Sequence, residues 1–175
     1  MSGPVENWEL VAAAFDERYT SIAKDQWASG TPCSEWNVHE LVAHAAGVQA
    51  TFGGALGSEA AADADWPTAR AGLAAAIAKP GALEGMVKHP ALGEMPKAMV
   101  LGIATTDLLV HTWDLARAIG GNEQLPDGPV AAAYEALQQM PAEMIRVPGR
   151  FDAAIDSAAD ADLQTKLLAF AGRRL

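Results

Sequence analysis

The chain of 175 residues carries 12 basic and 22 acidic side chains, a formal net charge of −10, with 50% of its residues apolar and 19% charged. That length and balance fit one globular domain over residues 1–175 with a substantial core, and they exclude bulk disorder. Binding nucleic acid needs clustered Lys and Arg, and the nearest approach to a cluster is Arg173-Arg174, so no nucleic-acid partner is expected.

The segment from Met1 to Glu6 has neither a basic region nor an apolar run, so no secretory signal is expected. Trp8, Val11, Ala12, Phe15, Tyr19 and Ile22 recur at helical spacing and predict a first helix from Val5 to Ala28. Ser29-Gly30-Thr31-Pro32 should end it. Cys33 is the single cysteine, so no disulfide can form within the chain; this fits a reducing compartment, and the cytoplasm is the expected location. Asn37 caps a second predicted helix, with Glu40 at the capping-box position, and the helix runs to about Leu56 before Gly57. Leu41 to Ser58 is free of Asp, Glu, Lys and Arg but falls short of the ~20 apolar residues of a membrane span, so it reads as a core helix and no membrane partner is expected. Pro67 opens a short helix through Ile77, and the residues on to Met95, broken by Pro90 and Gly93, read as loop. Pro96 opens a third long helix that ends at Ile119 before Gly120-Gly121. Asp127 is the predicted N-cap of a fourth, running to about Arg146 with a kink or break at Pro141. A short helix from Asp162 to Ala171 closes the pattern. Strand signals are nearly absent, and the predicted fold is all-α: an antiparallel four-helix bundle with short extra helices.

The informative residues lie on two of these helices. Asp107 and His111 are four residues apart and project from one helical face, one turn apart. Their neighbours at helical spacing, Val100, Ile103, Ala104 and Ala118, are apolar or small, so this face points inward. An ionised Asp buried there needs a partner, either a metal ion or a second polar group. His44 shares a stripe with Leu41 and Val48 and also points toward the core. If the two helices face each other, His44, Asp107 and His111 converge. Two imidazoles and a carboxylate with an open fourth position suit catalytic zinc, and also iron(II) or nickel. The same residues also fit a buried hydrogen-bond network without metal.

Asp114 is read either as an acceptor for a ligand imidazole or, preferentially, as the partner of Arg117 or Arg18. His39 lies about 140° around the helix from His44 and falls outside the site. His89 reads as a solvated loop residue and Cys33 as a small buried hydrophobe rather than a reactive thiol. Trp36 and Trp113 sit close enough to line a pocket. No phosphate-binding loop, dinucleotide fingerprint or serine-hydrolase elbow occurs in the sequence.

The stretch Thr31-Pro32-Cys33-Ser34-Glu35-Trp36-Asn37-Val38, leading to Leu41-Val42-Ala43-His44, resembles the opening of the mycothiol-dependent maleylpyruvate isomerase N-terminal domains, within the broader DinB-like metalloprotein superfamily. Asp107 to Ala116 is similar to that family's acid-x-x-x-His-x-Trp-Asp-Leu-Ala segment. Lys166 to Arg174 is similar to the ending of a single-domain branch. The resemblance implies an up-down-down-up four-helix bundle holding a divalent metal, usually zinc, and carries the ligands onto His44, Asp107 and His111. It also implies mycothiol as a co-substrate. The isomerase proper has Glu where this chain has Asp107, and a C-terminal domain that supplies part of its machinery. No such domain is expected in 175 residues, so isomerisation of maleylpyruvate does not transfer.

Two functional classes follow. One is a metal-dependent enzyme of S-transferase or isomerase type that uses mycothiol, with a small-molecule thiol or electrophile as partner. The other is a non-catalytic metal-binding module for a small ligand or partner. A homodimer through an exposed apolar face is a further expectation.

Overall fold

The computed structural model describes residues 3–89, 93–140 and 153–175. Six helices occur among the described residues: α1 (Pro4–Thr20), α2 (Val38–Ala55), α3 (Trp66–Ile77), α4 (Lys97–Ile119), α5 (Asp127–Gln139) and α6 (Leu163–Phe170). The helical class expected from the sequence is the class observed, with one small addition. Strands β1 (Met86–His89) and β2 (Gly93–Pro96) form an antiparallel hairpin, with Val87 opposite Met95 and Lys88 opposite Glu94. This segment is a hairpin rather than the expected loop, and His89 lies on a strand. Four-residue strands are too short to show an alternation, and Pro90 and Gly93 mask what there is.

Local chemistry explains most element boundaries. Asn37 and Glu40 form the full capping box at the start of α2, and Asp65 and Asp162 cap α3 and α6 through the backbone N–H groups of Thr68 and Thr165. Gly57 and Gly120 sit in left-handed conformations, φ 92° and 66°, at the ends of α2 and α4. The first helix, however, stops at Thr20 instead of Ala28. The Thr20 hydroxyl donates to the Asp16 carbonyl at 2.9 Å and the Ser21 hydroxyl to that of Glu17 at 2.7 Å. These side chains satisfy carbonyls of the last turn, and such residues favour leaving a helix over continuing it. The N-cap of α5 is Pro126, one residue before the expected Asp127, and α5 ends at Gln139. The expected continuation through Pro141 to Arg146 lies outside the described residues.

Helix α4 is the central element. It packs against α1 and α2, with α3 laid on α2 and α6 on α5. Trp8, Val11 and Phe15 of α1, Leu41 and Ala45 of α2, and Leu101, Leu108 and Leu115 of α4 are all buried in one cluster. Inside it lies a wholly buried amide. The Trp8 indole N–H donates to Gln49 Oε1 at 2.9 Å, and Gln49 Nε2 donates to the Ala104 carbonyl at 3.0 Å, joining α1, α2 and α4. Asp16 links α1 to α3 by accepting the Trp66 indole N–H at 2.7 Å and pairing with Arg70. Among the described residues no helix is long and apolar enough to cross a membrane.

Replacing Gln49 by Leu leaves the buried Trp8 N–H without its acceptor and strips the Ala104 carbonyl of its bond from α2. Urea unfolding should show a loss of about 1–3 kcal/mol.

Candidate functional site

The site begins with a loop. Between α1 and α2, a bridge pairs Gly30 with Asn37, and the Thr31 hydroxyl donates to the carbonyls of Cys33 and Trp36 at 3.1 and 2.9 Å. The same oxygen accepts the Cys33 N–H at 3.1 Å. One threonine side chain thus folds the Thr31 to Trp36 segment onto itself and fixes where Cys33 and Trp36 stand. The Trp36 ring lies 4.4 Å from the His44 ring at 35° and 5.7 Å from the His111 ring.

Beneath that loop, α2 and α4 bring together the three residues singled out in the sequence. His44 Nε2 lies 3.5 Å and His111 Nε2 3.7 Å from the same oxygen, Asp107 Oδ1. One potential ligand atom from each residue falls within 4.8 Å of the others. The set is less buried than its apolar neighbours imply. The His44 and Asp107 side chains are 27% and 25% exposed, against 7% for His111, so the cluster opens to the surface on the His44 side. A groove of about 280 Å³, lined by His44, Gly47, Val48, Thr51, Phe52 and Ala62, starts there.

Two observations bear on whether a cation fits. Asp107 Oδ2 is buried and has no hydrogen-bond partner among the described residues. Such an orphan oxygen beside two imidazoles asks for a positive ligand. The donor set of two nitrogens and a carboxylate is also that of open divalent-metal sites. The residues present therefore fit a divalent cation.

Asp114 corrects the favoured sequence reading. It pairs with neither Arg117 nor Arg18. Arg117 binds Glu123 at 2.9 Å and lies over the Trp113 ring, which is buried in the core. Arg18 donates to the carbonyls of Asn122 and Gln124 at 2.7 and 2.8 Å. Asp114, with no exposed surface, instead accepts His111 Nδ1 at 3.0 Å and pairs with Arg173 at 2.7 Å. Cys33 is likewise no simple hydrophobe. It is half-buried, with its thiol 3.3 Å from Asp114 Oδ2 and Arg173 Nη2 donating to its sulfur at 3.3 Å. His39 stands apart, against Trp27, as expected. The role of Arg173 was not foreseen; its position in the terminal motif was the only signal.

These contacts set the charges. Burial pushes the Asp107 carboxyl up, but His111 and His44 outweigh it and hold the group below the usual carboxylate range. Burial likewise lowers the His111 pKa, yet Asp107 and Asp114 prevail and raise it to about 10. Burial raises the Asp114 pKa, and the hydrogen bonds from His111 and Arg173 overturn this and lower it to about 2.

In metal-free protein the raised His111 pKa adds stability that is complete below pH 6.5 and is lost as pH rises toward 10. The lowered Asp114 pKa adds stability present above about pH 4 and lost as pH falls toward 2. The unfolding free energy of chelator-treated protein, measured by urea titration, should therefore fall at both ends, by up to about 1.4 kcal/mol per pH unit for each group.

Sequence comparison identifies the surroundings of this cluster. Residues 8–84 match the mycothiol maleylpyruvate isomerase N-terminal domain, a span that includes the Thr31 to Trp36 loop and His44 and stops short of α4. Two proteins from Mycobacterium tuberculosis, strains CDC 1551 / Oshkosh and ATCC 25618 / H37Rv, both described as uncharacterised, are 32% identical over 148 residues. The alignment covers 78% of this chain and 79% of each relative. No solved structure matches the chain. With a relative this similar over most of both lengths, and its own N-terminal half matching the domain, the chain belongs to the mycothiol maleylpyruvate isomerase N-terminal domain family.

Proposed function

We propose that the chain is a divalent-metal-dependent, mycothiol-using protein of S-transferase or isomerase type, with the metal held by His44, Asp107 and His111. The observation that carries this reading is the convergence of three potential ligand atoms within 4.8 Å around a buried, unpartnered carboxylate oxygen. The family supplies the link to mycothiol. Zinc is the first candidate for the metal, with nickel and iron as the others. Bound there, a divalent cation would stabilise a thiolate at neutral pH at a position the protein leaves open.

The chain's own residues supply the rest. Asp107 contributes the anionic charge that makes the set selective for a cation. His44 and Asp107 form the exposed rim, so a small thiol reaches the site from that side without displacing the core. Trp36, stacked on His44, shields one flank from water and holds the ring in place. The groove along α2 beyond His44, with Val48, Phe52 and Ala62 in its wall, suits the apolar body of an electrophile brought to the thiol. Isomerisation of maleylpyruvate itself is not proposed.

Untagged protein should contain close to one equivalent of metal by mass spectrometry. His44→Ala and Asp107→Ala should each weaken metal binding by more than the roughly 10–100-fold typical of losing an outer partner. Isothermal calorimetry should then show mycothiol binding to metal-loaded protein and none to the chelated form. Metal without any thiol response would identify a non-catalytic metal-binding module instead. Absence of metal after incubation with zinc, iron and nickel would return the three residues to a hydrogen-bond network.

A further inference from the structure

We infer that Arg173, at the C-terminal turn, is a positioning residue for the metal centre: it clamps Asp114, and Asp114 in turn fixes the His111 ring so that Nε2 faces the cation. The inference rests on the reading of His44, Asp107 and His111 as ligands.

The turn that delivers Arg173 is specified locally. Helix α6 ends at Phe170 with Leu167, Leu168 and Ala171 buried. Gly172 then adopts φ 81°, a left-handed conformation that side chains resist. The Arg173 N–H donates to the Leu168 carbonyl at 2.8 Å and the Gly172 N–H to that of Ala169 at 3.0 Å. This reciprocal pair is the Schellman stop, which folds the chain back over its last helical turn. Arg173 consequently enters the fold and is only 8% exposed. Its Nη1 donates to the Ala171 carbonyl at 2.9 Å, tying the guanidinium to its own turn.

The remaining donors form a fork. Nε meets Asp114 Oδ1 at 3.1 Å and Nη2 meets Oδ2 at 2.7 Å, across 59 residues of sequence. Two parallel bonds fix the carboxylate plane as well as its charge, which an ammonium cannot do. Asp114 Oδ2 then takes the Nδ1–H of His111 at 3.0 Å. With Nδ1 committed as donor, the Nε2 lone pair is the one left for a metal, and Nε2 is the atom that faces Asp107. Without the guanidinium, Asp114 would be a buried carboxylate stripped of its cation. It would gain a proton or turn toward another donor, and either change frees the imidazole.

The test measures zinc affinity by competition with a chromophoric chelator. Wild type, Arg173→Gln, Arg173→Lys, Gly172→Ala and His44→Ala are compared at a temperature where thermal melts show each folded. We expect Arg173→Gln to bind zinc 10–100-fold more weakly, and Arg173→Lys to recover only part of that loss. Nitrogen-15 NMR of the zinc-loaded wild type should show a protected Nδ1–H on His111 that Arg173→Gln loses. Gly172→Ala keeps the guanidinium but disturbs its turn, and should weaken zinc in the same direction if Arg173→Gln does not fold. Arg173→Gln with zinc affinity within twofold of wild type and the Nδ1–H signal intact would overturn the clamp, as would a lowered melting temperature with both readouts unmoved. Zinc binding unaffected by His44→Ala would instead overturn the ligand assignment, whatever Arg173 does.

Discussion

Asp114 is a carboxylate with no exposed surface, and the site is organised around that constraint. A charge there must be met on every side. His111 meets it from one turn earlier on α4, Arg173 from the chain's last turn, and the Cys33 thiol from the loop before α2. Two distant segments, the loop before α2 and the chain's last turn, are thereby tied to one point on the central helix. The histidine held this way is also the most buried of the three residues that converge there, His44, Asp107 and His111. The acid therefore shapes the site without facing its opening, and Asp107, one turn earlier than His111, carries the charge that faces outward.

The division of labour between the two aspartates follows from their surroundings. Asp114 is fully satisfied by hydrogen bonds, whereas Asp107 keeps a buried oxygen unpartnered among the described residues. A carboxylate that has all its partners is fixed in place, and one that lacks a partner keeps a bonding position open. The contrast lies between residues seven positions apart on a single helix. It also places His111 between opposing demands: its Nδ1 is spoken for, and its Nε2 is directed at the open group.

The sequence made the triad legible because two of its members share a helix. The four-residue spacing of Asp107 and His111 and the apolar neighbours of His44 were enough to predict convergence once α2 and α4 faced each other. The capping box at Asn37 and the glycine ends at Gly57 and Gly120 were equally readable, since each depends on residues close in sequence. What local reasoning misjudged depends on distant contacts. Arg117, three residues from Asp114, was the obvious partner, yet Glu123 and Trp113 claim it, and the true cation comes from the far end of the chain. Cys33 read as a hydrophobe for the same reason: its polar neighbours are set by folding, not by spacing. The end of α1 was misplaced because the apolar stripe continues past Thr20 through Ile22, while hydroxyl groups end the helix. The hairpin at Met86–His89 and Gly93–Pro96 was too short to announce itself.

The buried Gln49 has a consequence beyond the energy of its two bonds. Apolar helix faces can slide past one another with little penalty, because one methyl group resembles the next. An amide that must reach an indole on one helix and a particular carbonyl on another has only one solution. A shift of a single turn, about 5.4 Å, breaks both bonds. Gln49 therefore sets the register of α1, α2 and α4. His44 stands five residues before Gln49 on α2, and Asp107 three residues after Ala104 on α4, so the same pin keeps the proposed ligands level with each other.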